Sequence, residues 1–373
     1  MTEVETDERA EVIAQLPPSA WIRDGINDPK NSVAILGKKG GPGKTSLTQL
    51  IADAGVRLGL NILALDGDPQ GNLSIALDSQ VKLVPTGKIG LGGKQVMEPD
   101  RDTMVEVLEA DTDGVIDEAF QLVPWTYNAA AEFQRGGPLI PGRLGTLAIV
   151  PTHNPMEDIS RGWNFSDLNR LDKALNNPSK PQGIAPNRRW DLVLGDMLPG
   201  GSDLARAFLK AMRRYIVLTT AEPFGMNAIA NTLTFARDVR DNWGNPELED
   251  IGLVFTSYRP QSRVANAEIA DLRAQQDSGN EAVKIEVWKP RVSSRTVVPL
   301  AQGYRVPVSR FLTERQDRGA AAELCQVGEA LLLKTLDKIG HPDAKELEER
   351  WLKAWGTDLS PWATGAIAEK GDL

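Results

Sequence analysis

Cysteine, histidine, tyrosine and excess positive charge are all scarce in this chain. Of its 373 residues one is cysteine, two are histidine and four are tyrosine, and the formal net charge is −9. A single thiol, Cys325, cannot close an internal disulfide, so a reducing compartment is expected. No stretch approaches the ~18 uninterrupted apolar residues of a membrane span. The acidic start Met1-Thr2-Glu3-Val4-Glu5 lacks signal-peptide character, and a cytoplasmic protein is therefore expected. The acidic balance argues against a wholly basic nucleic-acid binder but leaves room for a local basic face. No internal repeat or low-complexity tract stands out. What is present is ordinary for a globular protein, with 41% hydrophobic and 25% charged residues. The 34 glycines and 24 prolines imply generous loops, and the length suits one elaborated α/β domain.

The apolar pattern alternates between strand and helix. Ser32–Leu36 is a short buried strand, and Leu47, Leu50, Ile51, Ala54 and Leu58 recur at helical spacing before Gly59. Further strands are expected at Asn61–Leu65, Thr146–Val150, Trp190–Asp196, Tyr215–Thr220, Ile251–Phe255 and Val283–Val287. Helical patterns fall at Thr103–Gln121, Ala228–Val239, Val264–Gln275 and Gly319–Ile339. This order predicts an α/β fold, a mainly parallel doubly wound sheet flanked by helices on both faces. Residues 1–31 form an N-terminal extension, 32–340 the main domain with an insertion near 79–145, and 341–373 a tail. In that tail Leu347, Trp351, Leu352 and Trp355 have helical spacing, while Asp343, Glu346, Glu348 and Glu349 disfavour anionic lipid. Packing on the body or on a partner is the expected role, and membrane binding is not.

Between the first strand and helix lies Gly37-Lys38-Lys39-Gly40-Gly41-Pro42-Gly43-Lys44-Thr45-Ser46. Strand, glycine-rich loop and helix N-terminus together make a phosphate cradle of P-loop NTPase type. Lys44 would neutralise the β and γ phosphates and Thr45 would offer its hydroxyl to Mg²⁺. The strict pattern needs glycine where Lys38 stands. Lys39-Gly40-Gly41-Pro42-Gly43-Lys44-Thr45 instead resembles the deviant Walker A loop of the ParA/MinD family of dimeric ATPases. That resemblance implies ATP and Mg²⁺ as cofactors, nucleotide contacts from Lys39 through Ser46, and a homodimer in which Lys39 reaches the facing subunit's site. Asp66-Gly67-Asp68-Pro69-Gln70-Gly71-Asn72 is similar to the family's D-x-D-P-Q-G-N segment. It implies Asp68 as the residue that orients the attacking water, with Asp66 supporting it, and Asp196 as the Walker B acid. Thr45, Asp66 and Asp196 are accordingly the expected metal set.

The likeness continues to about residue 340. Phe255–Arg259 resembles the strand end that helps hold adenine, and Pro290–Arg295 the P-R-N-V-R segment, which implies base contacts from Tyr258 and Pro290. Lys284, Lys289, Arg291, Arg295, Arg305 and Arg310 cluster in this region. In the family it serves sequence-independent DNA binding, so Lys289, Arg291, Arg295 and Arg305 are the expected contacts. The implied activity is that of a partition ATPase, nucleoid-associated in the cytoplasm and released from double-stranded DNA when a ParB-like adaptor stimulates hydrolysis. A MinD-like cargo-positioning ATPase and a nucleotide-gated scaffold with negligible turnover are the rival readings. An iron–sulfur reductase would need more than Cys325, and a tyrosine autokinase more than four tyrosines. Pro42 departs from the family's usual residue and should stiffen the loop. The long interval between Asp68 and Asp196 locates the insertion.

Overall fold

The computed structural model describes residues 31–37, 43–89, 95–125, 144–153, 159–160, 163–177, 190–220, 225–259, 261–280, 283–356 and 359–364. Its strands are β1 (Ser32–Leu36), β2 (Asn61–Gly67), β3 (Leu83–Ile89), β4 (Gln95–Pro99), β5 (Gln121–Leu122), β6 (Thr146–Val150), β7 (Leu192–Met197), β8 (Arg214–Thr220), β9 (Glu249–Tyr258) and β10 (Val292–Ser293). The helices are α1 (Lys44–Arg57), α2 (Asn72–Ala76), α3 (Met104–Ala110), α4 (Ile116–Ala119), α5 (Arg170–Asn176) and α6 (Asp203–Ala211). They continue with α7 (Gly225–Asn242), α8 (Arg263–Asp277), α9 (Val297–Tyr304), α10 (Arg318–Ile339), α11 (Ala344–Trp355) and α12 (Pro361–Thr364).

Eight strands form one sheet in the order β10-β9-β8-β1-β7-β2-β6-β5, parallel throughout except for β5 against β6. The inner strands β1, β2 and β7 are buried at every position, which explains why their sequences are continuous apolar runs rather than alternating ones. One core lies beneath α1 and α10 and the other beneath α5, α6 and α7. α1 and α10 cross closely. A Cβ on Gly328 would stand 2.7 Å from the Leu50 carbonyl oxygen, so only glycine admits this approach.

Register then places the chemistry. β1 and β2 flank β7, with Ile35 opposite Asp196 on one side and Asp66 opposite Asp196 on the other. Partnered residues on adjacent strands project to the same face about 4.8 Å apart. Two carboxylates therefore emerge side by side beside the loop that follows β1, at the C-terminal edge where open parallel sheets bind ligands.

The expected helix over Thr103–Gln121 is broken into α3 and α4, because Asp111 and Gly114 take left-handed conformations with φ of 46° and 70°. The expected strand Val283–Val287 reduces to a single bridge between Leu253 and Val287, and the outermost strand is β10 instead. Within residues 79–145, β3 and β4 pair as an antiparallel hairpin separate from the main sheet. The tail is docked on the body: Leu347 and Trp351 of α11 are buried, and Arg291 N–H donates to the Trp362 carbonyl at 3.1 Å.

Candidate nucleotide site

α1 begins without a side-chain cap and without an acidic residue in its first turn, whereas α3, α6 and α8 are capped by Thr103, Ser202 and Ser262. An uncapped, positively polarised helix start immediately after a glycine-rich loop suits a phosphate. Gly43 is required here because a Cβ would meet Leu218 Cδ2 at 2.8 Å and Thr256 Oγ1 at 3.0 Å. Gly43, Lys44, Thr45 and Ser46 form one wall of a cleft of about 820 Å³, with Asp68, Asn72 and Gln302 among the residues opposite. Lys44 is only 6% exposed. Gln302 Nε2 donates to Ser46 Oγ at 3.2 Å, closing the cleft from the α9 side. Lys39, Gly40, Gly41 and Pro42 lie outside the described residues.

Thr45 Oγ1 donates to Asp196 Oδ2 at 2.7 Å. The other oxygen, Asp196 Oδ1, is buried and has no hydrogen-bond partner among the described residues. A buried carboxylate oxygen left open beside a threonine hydroxyl is a fit for a hard cation, which costs less than an unmet acceptor. Among the described residues no cluster of three or more His, Cys, Asp or Glu could hold a metal alone. Thr45 and Asp196 would therefore share Mg²⁺ with nucleotide phosphates and water, the usual arrangement for that ion.

Asp66 behaves differently from its expected place in the metal set. Its Oδ2 accepts from Ser74 N–H at 2.8 Å and from Ser74 Oγ at 2.6 Å, while Oδ1 accepts from Asp68 N–H at 3.3 Å. Both oxygens are thus hydrogen-bonded into the loop that follows β2, and the place of Asp66 in the metal set rests on the resemblance alone. Ser74 was not anticipated, although its position two residues after Asn72 in the D-x-D-P-Q-G-N segment marks it. Asp68 itself lines the cleft, with Oδ1 accepting from Gln70 N–H at 3.0 Å.

Burial raises both strand-end carboxyls above the ordinary 3.8. Asp66 is pushed up to about 7 by desolvation and then by the Asp196 charge, against the Ser74 and Asp68 hydrogen bonds. Asp196 is pushed up to about 6 by desolvation and the Asp68 charge, opposed by the Thr45 hydrogen bond and the Lys44 charge. A raised acid pKa means that the folded protein holds more protons than the unfolded chain from about pH 4 to pH 7, so these groups cost stability as pH rises through that window. Asp196→Asn should accordingly raise the thermal midpoint of the nucleotide-free, Mg²⁺-free protein more at about pH 8 than at about pH 5. Thermal melts of both proteins at the two pH values check this, and an equal gain at both would contradict the burial cause.

The profile of the CobQ/CobB/MinD/ParA nucleotide binding domain matches residues 33–306. The chain belongs to this family. Among its relatives, the chromosome-partitioning ATPase Soj of Thermus thermophilus is 27% identical over 242 residues, covering 65% of this chain and 75% of that protein. The chromosome partitioning protein ParA of Caulobacter vibrioides is 26% identical over 249 residues, covering 66% and 77%. In fold, the chain is similar to an ATP complex of Cyanothece McdA, with a TM-score of 0.57 at 14% identity, covering 83% and 96%. It is also similar to cobyrinic acid a,c-diamide synthase from Mycobacterium smegmatis with a bound ATP analog and magnesium, with a TM-score of 0.54 at 20% identity, covering 82% and 94%. Membership gives the enzyme class: the chain is an ATPase of this nucleotide-binding family.

Several family-derived assignments do not meet at the cleft. Tyr258 is buried, its hydroxyl donates to Asn266 Oδ1 at 2.7 Å, and its ring packs edge-on to Trp362 at 5.7 Å. Pro290 lines a separate hollow with Lys334 and Trp351. Neither residue lines the cleft at the start of α1, and the docked tail packs beside both. Arg291 is 4% exposed and its guanidinium lies 4.7 Å from the Tyr258 ring centroid, so it is a packing residue rather than a phosphate contact. Arg295 pairs with Glu323 at 2.5 Å and Arg305 with Asp78 at 3.2 Å. Lys289 is exposed.

Proposed function

We propose that this ATPase is a DNA-partition switch: it dimerises with ATP, holds double-stranded DNA without sequence preference, and lets go when a ParB-like adaptor stimulates hydrolysis. The observation that carries the chemistry is that Asp68 and Thr45, the latter hydrogen-bonded to Asp196, line one cleft at the start of α1. The named Soj and ParA relatives, matched over about two thirds of this chain, support the task. Phosphoryl transfer to water is mostly a matter of positioning and charge neutralisation. Lys44 neutralises the phosphates within the site, Lys39 crosses from the partner subunit, and Asp68 orients the attacking water and accepts its proton. Bound Mg²⁺ supplies charge neutralisation at the phosphate oxygens. The proposed setting is cytoplasmic and nucleoid-associated. No helix among the described residues is long and apolar enough to cross a membrane.

The DNA face is assigned to Lys289 with Arg295 and Arg305, and Arg291 is withdrawn from it. Arg295 and Arg305 can serve only by exchanging a carboxylate partner for a phosphate, so Lys289 makes the cleaner test. With ATP and Mg²⁺ present, Lys289→Ala should weaken binding to unrelated duplexes alike and reduce the slope of log K against log[salt] by about one phosphate contact. ATP-dependent dimerisation, followed by gel filtration, should be unchanged. Binding of wild-type protein to anionic liposomes but not to duplex would favour the cargo-positioning alternative and overturn the partition reading.

A further inference from the structure

Helix α2 presents Asn72, Ile75 and Ala76 to the cleft, but one of its side chains turns the other way. Ser74 is buried at a junction of three segments. Its hydroxyl donates to Asp66 Oδ2 at the end of β2, its own N–H donates to the same oxygen, and its hydroxyl oxygen accepts the Thr152 N–H at 3.1 Å just beyond β6. From these contacts we infer that Ser74 is a positioning residue for hydrolysis, which acts through Asp66 to hold the Asp68–Asn72 loop so that Asp68 faces the cleft. The inference rests on the ATPase reading.

The argument turns on which bonds are strong. The Asp66 contact to the Asp68 amide is 3.3 Å, slightly longer than the ordinary N–H···O range and therefore weak. A bond that long cannot by itself orient the carboxylate, because the terminal torsion of aspartate is broad and roughly two-fold. The orientation is set from the other side, where the 2.6 Å hydroxyl bond and the 2.8 Å amide bond both grip Oδ2. The hydroxyl is in turn fixed by Thr152, so its direction is set by the sheet and not by α2 alone. Within the loop, Gly71 N–H donates to the Asp68 carbonyl at 2.8 Å, and Gly71 adopts φ 63° at the start of α2. Losing the Ser74 hydroxyl leaves Oδ2 held by the 2.8 Å amide bond alone, which loosens Asp66 and weakens the anchor of the Asp68 amide. Nucleotide contacts from Lys44, Thr45 and Ser46 belong to another segment and stay in place.

Ser74→Ala, Ser74→Cys and Ser74→Thr in the full chain provide the test. Cysteine fills the serine site with only a weak donor, so it preserves a readout should the alanine variant fold poorly. We expect Ser74→Cys to lower kcat about tenfold with the KM for ATP within about twofold, and Ser74→Thr to keep more than about half of wild-type kcat. In an Asp66→Asn background, Ser74→Cys should change kcat by less than about twofold, since the two residues act in series. Amide hydrogen exchange over residues 68–72 should quicken in Ser74→Cys and not in Ser74→Thr. Unchanged kcat or unchanged exchange in Ser74→Cys overturns the inference, as does a loss confined to KM or a threonine variant no better than cysteine. Absence of ATP turnover in the wild-type protein, with the exchange pattern as expected, overturns the ATPase reading alone.

Discussion

Asp68→Ala is expected to lower ATP turnover by about 10²- to 10³-fold while leaving ATP affinity within about twofold. The separation follows from the layout of the cleft. Under the proposed function, phosphate and cation contacts would come from Lys44 and Thr45 on α1 and from Asp196 on β7, whereas Asp68 lines the cleft from the loop after β2. On that reading, removing its carboxylate would take away the acceptor for the attacking water and nothing that the ground-state nucleotide needs. Under the partition reading, the variant should also be trapped in the ATP state and stay on DNA after wild-type protein has left it. Single-turnover hydrolysis, equilibrium nucleotide binding and a DNA release assay together check this. Lost ATP binding would make Asp68 a binding residue, and undiminished hydrolysis would move water activation elsewhere.

The parts of this site that could be read from sequence are those fixed by backbone conformation and strand order. A glycine-rich loop between a buried strand and a helix has one main structural use, and an acid at the end of an apolar strand in a parallel sheet has few places to go. Asp196 stands at such a strand end, while the roles given to Asp68 and Asp196 come from the family likeness of their segments. The hydrogen bonds of Asp66 to Ser74, eight residues later, were not legible, because a local motif does not say which way a carboxylate turns. The burial of Tyr258, Pro290 and Arg291 away from the cleft lining was hidden for a different reason. Sequence charge and a family likeness make Arg291 look like a surface cation, but Trp362 in α12 folds back over Tyr258 and shuts the region from solvent. That contact spans about a hundred residues of chain, and nothing in the P-R segment announces it. The β3–β4 hairpin was hidden because Pro85, Gly87 and the glycines beyond Ile89 suggest a loop, while the pairing is decided across strands.

Arg57→Met should destabilise the protein by about 3–5 kcal/mol, the cost of uncovering a buried charge by removing its partner. Arg57 closes α1 at the end opposite the phosphate loop and is 2% exposed. Its guanidinium pairs with Glu329 in the middle of α10, and its Nε lies 3.4 Å from Asp53 Oδ1. Both acids are buried as deeply as the arginine. Each also holds a further element: Ser309 donates to Asp53 through its N–H at 3.1 Å and its hydroxyl at 2.9 Å, and Trp351 and Trp355 of α11 donate to Glu329 Oε2 at 2.8 Å each. One cation thus balances two anions, and the remaining acceptor capacity is met by a serine and two indoles. Methionine would preserve much of the stem's packing but leave both carboxylates in the core without a countercharge. A second replacement separates charge from shape. Arg57→Met combined with Glu329→Gln removes one of the stranded anions and should recover part of the loss, because an unpaired buried charge costs far more than a buried amide with hydrogen-bond partners. Urea unfolding of wild type, the single variants and the double variant gives the coupling directly. A loss below about 1 kcal/mol in Arg57→Met would mean that water reaches this cluster. The tail helix α11 would then not be sealed against α10 as the two indole bonds require.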